Sequence, residues 1–529
     1  MPLEPLDDAF ELPNVRPTVV LEGDDHTMGV QYVAQLCDVF GERILDQGRC
    51  AIRTANDRDT VRAMERVVRD EAPEVAVFLE GMTDGAATIE RELPFDELLA
   101  RFTGAEALFD DVTTLGDAWD GCTGIAAWGD ASRDGDLIAA GSKDHQPRPE
   151  VTVVAFPTDG GRPFIWTPSL VFGGSGIGGH PGMNDRGVAY VHHGATCWIQ
   201  CVPRSEWHVG VTMPVAVLHT LRFAETADHA KAMQLGYPCG DGRVGGFWVD
   251  TSGRSWVIEN RRDPIAIRTA GDHGERSYLY ATNNGLCREV GHCQDPPPGG
   301  HYYVSYGGWR GSEATISSVD RNLQVRGALE ERFGRIDVEV IQALFRSPGP
   351  GLAHASLREA EEAYEARRGE GWSHAVGNQF SATVGILRPT CGEGGRYLAS
   401  WGPTARGGHP FGPRKHAYPV DPLGTWFEVR LMASAERTVV EASEQAKHDL
   451  YCANVGMAGL SYHDVAFVPL RDRFDQAARA WQRGDHHFAR ARGDPTNVGR
   501  RSGAALREFT RAQVFARHVI EALDPPATL

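Results

Sequence analysis

Downstream of Cys122 the chain breaks into short β-prone runs, DLIAAGS, EVTVVAFP, RPFIWTPS and GVAYVHHGA, punctuated by Gly, Asp and Pro. GGFWVDTSGRSWVIEN sets two such runs around an Asp-Thr-Ser-Gly turn, a hairpin signal. RSYLYATNNG reads as another strand ending in a polar turn, and SATVGILRP with GRYLASWGP as a further pair. The segments around these strands carry helical periodicity. Met28, Tyr32, Leu36, Phe40 and Ile44 recur every four residues and predict one helix over 28–45. Further helices are expected at Thr60–Asp70, with Val61, Met64, Val67 and Val68 inward, and at Glu74–Met82. HTLRFAETADHAKAMQ, Ser317–Phe333, Val338–Phe345 and everything from about Trp426 onward also read as helix. Helices, hairpin-rich strands, helices, strands, helices is the order of an α+β layered fold and not of an alternating βαβ one. Three segments follow: helical 1–121, a strand-rich body over 122–425, and a helical extension over 426–529.

Charge narrows the function classes. Lys+Arg 53 against Asp+Glu 71 gives a net charge of −18, which repels phosphate backbones and anionic lipid, so neither nucleic acid nor a membrane surface is an expected partner. No apolar run approaches the roughly 20 residues of a membrane span. MPLEPLDDAFELPN lacks a basic stretch followed by an apolar one, and the 10 cysteines include no CxxC pair, so reduced thiols and a cytoplasmic location are expected.

One cysteine stands apart. Cys122 lies at the border between the helical start and the strand-rich body, between Gly121, which tolerates a crowded backbone, and Thr123, a hydroxyl able to hydrogen-bond nearby. Around it runs AWDGCTGIAAWGDASRDGDLIAAGSKDHQ. Gly121-Cys122-Thr123, then Ala127-Trp128-Gly129, Asp134-Gly135 and Asp144 together resemble the processing site of cysteine N-terminal nucleophile hydrolases. The branch is that of the acyl-coenzyme A:6-aminopenicillanic acid acyltransferases, related to choloylglycine hydrolases and acid amidases. Further segments agree in order: VLEGDDHTMGVQY, GMNDRGVAYVHHGA, YATNNGL and SSVDRN.

The resemblance implies a four-layer αββα sandwich over the body and autocatalytic cleavage of Gly121–Cys122. It implies Cys122 as nucleophile, Asp144 beside it, Asn283 in oxyanion binding and Arg321 near the site. Gly141-Ser142-Lys143-Asp144 departs from the family's usual Arg-Asn before the variable residue and the Asp, which bears on the substrate pocket. Thr123, Lys143, His192 and His193 are the pocket candidates, and at most one of the adjacent histidines can face the site.

The chemistry explains these residue types. A thiol with an ordinary pKa of about 8.5 is only a few per cent ionised at neutral pH and needs a base beside it. The α-amine freed by cleavage, with a reference pKa near 8, can serve. Asp144 would orient that amine, and the Asn283 amide hydrogens would stabilise the tetrahedral oxyanion. Hydrolysis of a linear amide and transfer of its acyl group share one thioester on Cys122 and differ in whether water or an amine accepts it. The alternative is a protein of the same fold that never processes and serves in binding or assembly. No cofactor is expected. Acyl-coenzyme A and a homo-oligomeric assembly stay open. Cys287, His292 and Cys293 with Cys197 and Cys201 lack structural-zinc spacing, so no metal is expected. GGSGIGG at 173–179 matches no phosphate-loop pattern, and His486-His487 reads as a solvated pair.

Overall fold

Two β-sheets share one apolar layer, and helices cover their other faces. The computed structural model describes residues 15–109, 121–144, 149–168, 171–173, 181–191, 206–240, 246–293, 313–346, 376, 381–401, 426–460, 464, 466–493 and 498–524. The chain enters through β1 (Thr18–Gly23) and then forms α1 (Asp25–Phe40), α2 (Ala55–Glu71), α3 (Pro73–Ala87) and α4 (Phe95–Thr103). The strands β2 (Gly121–Ala127), β3 (Ile138–Asp144), β4 (Thr152–Pro157), β5 (Phe164–Trp166), β6 (Gly182–Asn184) and β7 (Val188–Val191) follow. Helices α5 (Met213–Phe223) and α6 (Ala227–Gly236) precede β8 (Phe247–Asp250), β9 (Ser255–Asn260), β10 (Ala266–Arg268) and β11 (Tyr278–Ala281). Next come α7 (Glu313–Glu331), α8 (Val338–Arg346), β12 (Ser381–Arg388), β13 (Gly395–Trp401) and β14 (Trp426–Leu431). The chain finishes in α9 (Ala435–Met457), α10 (Phe467–Arg492) and α11 (Val498–Leu523).

The larger sheet has the order β1-β4-β5-β6-β7-β8-β9-β10 and the smaller β11-β2-β3-β12-β13-β14. Every pairing is antiparallel except β1 with β4. Strand alternation sorts the core. Val20, Val154, Ala189, Val249 and Val257 of the larger sheet join Ala126, Ala139, Leu387, Ala399 and Val429 of the smaller in one cluster. The opposite face of the larger sheet, with Val19, Val153, Trp166 and Trp248, packs under α1 to α5. The opposite face of the smaller, with Ile125, Ala140, Tyr280 and Ile386, packs under α7 and α8. Among the described residues no helix is long and apolar enough to cross a membrane.

Local signals place the helices. Asp24 caps α1 by accepting from Thr27 N at 2.7 Å, and Thr54 with Asp57 forms a reciprocal capping box on α2. The expected helix over 28–45 stops at Phe40, because Gly41 takes φ 77°, and Ile44 buries instead from a 3-10 segment, Glu42–Gly48. HTLRFAETADHAKAMQ is two helices, split where Thr226 caps α6 through His229 N at 3.1 Å.

Two further expectations are corrected. The first segment is not wholly helical, since β1 is an edge strand of the larger sheet, and Trp426–Leu431 is a strand, not the start of a helix. β1 was obscured because its partner strand lies far away in the chain, Thr18 pairing with Thr152. Each edge is closed by glutamine. Gln35 Oε1 accepts from Val20 N at 3.2 Å while its Nε2 donates to Val20 O at 2.7 Å, and Gln31 treats Glu22 alike. On the other sheet Gln513 of α11 does the same to Glu428 of β14, at 2.8 and 3.0 Å. A primary amide reproduces the donor and acceptor of a missing strand, so these edges are not left to pair with another chain. Through Gln513 on β14, and Arg507 Nη1 donating to Thr18 O of β1 at 3.3 Å, α11 closes the side of the shared core where β1 and β14 end their sheets.

Candidate active site

Cys122 stands near the start of β2, 1% exposed. Its strand neighbours decide where it points. Ile125 and Ala127 lie in the cluster under α7, and Ala126 in the layer between the sheets, so alternation turns Cys122 to the inter-sheet face and Thr123 to α7.

Asn283 and Arg321 converge on it from two other elements. β11 pairs antiparallel with β2 through Ala281↔Gly124, which carries the chain beyond β11 to the level of Cys122. There Asn283 Oδ1 accepts from Cys122 N at 3.0 Å. Arg321 reaches down from α7, donating through Nη1 to Cys122 O at 2.5 Å and Thr123 Oγ1 at 2.9 Å, and through Nη2 to Asn283 Oδ1 at 2.7 Å. Arginine has only donors, so the Asn283 amide is oriented by chemistry with its oxygen toward the nucleophile's nitrogen. All four residues are buried.

The Asn283 loop is clamped on both sides. Ser318 Oγ, one turn before Arg321 on α7, accepts from Asn284 N at 2.9 Å and donates to Asn284 Oδ1 at 2.5 Å. Asn322 Nδ2 also donates to Asn284 Oδ1, at 2.9 Å, and Thr282 Oγ1 donates to Ser318 O at 2.8 Å. Beyond the turn the Glu259 carboxylate accepts from Leu286 N at 3.0 Å and Cys287 N at 2.8 Å, and is held by Arg268 Nε at 3.1 Å. Arg268 also pairs with Glu275 at 3.4 Å and donates to Tyr280 O. Charge-assisted bonds of this kind fix a loop more firmly than neutral ones.

On the other flank Cys122 pairs across the ladder with Lys143 of β3, and Lys143 with Thr383 of β12. Lys143 is fully buried, its Nζ 3.1 Å from Pro168 O and 3.7 Å from Glu150 Oε1. Burial drives the Tyr190 hydroxyl well above its ordinary range, and negative charge on Cys122 would raise it further, so Tyr190 stays neutral. Burial also pushes the thiol of Cys37 up to about 11 and that of Cys50 to about 12, and raises Cys287, which Glu259 raises further. Those three are inert thiols at neutral pH.

The structure thus brings Cys122, Thr123, Lys143, Asn283 and Arg321 together. Gly121 lies opposite Asp144 in the β2–β3 ladder, which sets the Gly121–Cys122 bond one register step from Lys143; the Asp144 side chain lies outside the described residues. His192, His193, Cys197 and Cys201 also lie outside them, as do the side chains of His292 and Cys293. Among the described residues no group of three His, Cys, Asp or Glu is arranged to hold a metal. The sequence reading missed Asn284, Ser318 and Asn322, whose signal is adjacency to Asn283 and Arg321, and Arg16, Glu150 and Thr383, which carry no local signal at all. Comparison of the chain with known protein families and with curated proteins finds no match.

Proposed function

We propose that Cys122 is the nucleophile of an autoprocessed amide hydrolase or acyltransferase of the N-terminal nucleophile type, and that the two sheets with their outer helices form its αββα sandwich. The observation that carries this reading is the double hold on Cys122, its nitrogen bonded to Asn283 Oδ1 and its carbonyl to Arg321. A buried backbone N–H needs an acceptor in any cysteine. What fits a nucleophile is that this acceptor is a side-chain amide oxygen, which would stay in place to hold the nitrogen once it becomes a free α-amine and aim its lone pair at the thiol proton.

In the precursor the Cys122 thiol attacks the Gly121 carbonyl carbon. The sulfur–carbon bond forms, the carbon–nitrogen bond breaks, the thiol proton passes to the departing nitrogen, and water hydrolyses the resulting thioester. In the mature enzyme the α-amine, held by Asn283 Oδ1, accepts the thiol proton as sulfur attacks the substrate amide. It returns that proton to the leaving amine, and water or an acceptor amine releases the acyl group. The Nδ2 limb of Asn283 is the oxyanion donor we assign. Arg321 fixes both Asn283 and the strand start, and so acts as a positioning residue.

Intact mass spectrometry tests this. The expected result is two chains, residues 1–121 and 122–529, that co-elute on size exclusion because β1 is built into the larger sheet. Cys122→Ala should stay whole and inactive. A wild-type chain that stays whole yet turns over an amide would remove the α-amine from the mechanism, and fragments from the alanine variant would assign cleavage to another protease.

A further inference from the structure

We propose that α11 is the clasp that keeps residues 1–121 on residues 122–529 once Gly121–Cys122 is cut, which makes the N-terminal chain a lasting subunit of the mature protein. This goes beyond the reading of Cys122 as nucleophile and rests on it for the cut alone. The two halves of the helix grip the two products. In the first half Arg500 donates to both carboxylate oxygens of Asp38 on α1, at 2.8 and 2.5 Å. Arg507 Nη1 donates to Thr18 O of β1 at 3.3 Å and to Gln35 Oε1 of α1 at 3.4 Å. In the second half Gln513 pairs with the Glu428 backbone of β14, and Arg517 donates to Asp449 Oδ2 at 2.7 Å and Trp426 O at 3.1 Å. Between them Leu506 and Phe509 share one apolar cluster with Val15 and Val20 of the first product and Phe427 and Val429 of the second.

Glycine lets the grip close. Gly499 and Gly503 stand one turn apart on α11, against Gln31 and Gln35, one turn apart on α1. A Cβ on Gly499 would run into the Gln31 amide, and one on Gly503 into Gln35 Oε1. Those amides could yield only by leaving Glu22 and Val20, the β1 residues whose outer edge they close. Among the described strands of the larger sheet, β1 alone comes from residues 1–121. Helix α5 also holds the N-terminal layer, through Arg222 to Asp25 and His219 to Glu74, so α11 is the second hold and the one on the free edge of β1. The Arg500–Asp38 pair is half exposed on its arginine side and adds little in water, which leaves the glutamine contacts as the working part of the clasp.

The test times release. The processed protein is immobilised through a C-terminal affinity tag, and loss of residues 1–121 into a fixed, sub-denaturing urea concentration is followed by mass spectrometry. Gly503→Ala should release the N-terminal chain at least tenfold faster than wild type. Alanine is the better helix former, so faster release cannot come from a weaker α11. Gln35→Ala removes the side chain that the new Cβ would displace, so adding Gly503→Ala to it should change the rate less than twofold. Release of Gly503→Ala at the wild-type rate, or an undiminished effect in the Gln35→Ala background, overturns the clasp. Should Gly503→Ala fail to fold, Gly499→Ala, read against Gln31→Ala, decides by the same limits. A parallel set carries Cys122→Ala and a site-specific protease sequence between residues 109 and 121, so that the chain is cut from outside. Absence of self-cleavage in the wild type defeats the nucleophile, and this set then decides the clasp; equal release across this set defeats the clasp and leaves the nucleophile standing.

Discussion

Replacing Asn283 by Ala and by Asp separates the two limbs of its amide. Alanine removes the acceptor shared by Cys122 N at 3.0 Å and Arg321 Nη2 at 2.7 Å, both inside the fold. A buried N–H left without its acceptor costs about 1–3 kcal/mol, and a bond to a charged donor is worth about 1.5–3 kcal/mol, so Asn283→Ala should lose about 3–5 kcal/mol of unfolding free energy in urea. Aspartate keeps an oxygen where Oδ1 stands and faces the Arg321 guanidinium, so Asn283→Asp should remain within about 1 kcal/mol of wild type. It lacks the NH2 limb, however. One oxyanion donor is worth roughly 100- to 1000-fold in rate, so processing of Asn283→Asp, followed by time-resolved intact mass, should slow by about that factor. Two outcomes refute the reasoning. Wild-type processing by Asn283→Asp means that Nδ2 does not serve the oxyanion, and a loss below about 1 kcal/mol in Asn283→Ala means that Oδ1 does not hold the strand.

Two further predictions concern the helical layer over the larger sheet. Burial pushes Asp25 up to about 6 from 3.8 despite its pairing with Arg222. The folded chain therefore binds the extra proton, and this contribution to stability is fully present below about pH 3.8 and lost as pH rises to about 6, roughly 3 kcal/mol in all. Asp25→Asn should gain on wild type by up to that amount between pH 4 and 7 in urea unfolding; parallel pH profiles would refute it. A Cβ on Gly81 of α3 would sit 2.0 Å from His26 O of α1, and one on Gly29 2.1 Å from Phe78 O, so the two helices cross backbone to backbone. Gly81→Ala should cost about 1–3 kcal/mol or more and raise amide exchange in both helices; unchanged exchange would place the crossing elsewhere.

What the sequence determined by itself is what short-range pattern can encode. The four-residue spacing from Met28 to Phe40 requires one buried helical face, and the Asp-Thr-Ser-Gly turn requires the β8–β9 hairpin. Cys122, Asn283 and Arg321 were legible because each sits in a short motif, although none of those motifs contains the contacts between them. The tertiary structure decided the rest. Thr18–Gly23 and Trp426–Leu431 become strands only because β4 and β13 offer partners and because Gln31, Gln35 and Gln513 satisfy their outer edges. The orientation of the Asn283 amide is set by Arg321, a donor on a different element. Arg16 reaches Val151 across 135 positions of chain, and Lys143 meets Glu150 only once β3 and β4 lie in different sheets. Periodicity is a property of neighbours along the chain. The pairing of buried charges and the closing of sheet edges are properties of neighbours in space, and only the folded packing specifies which residues those are.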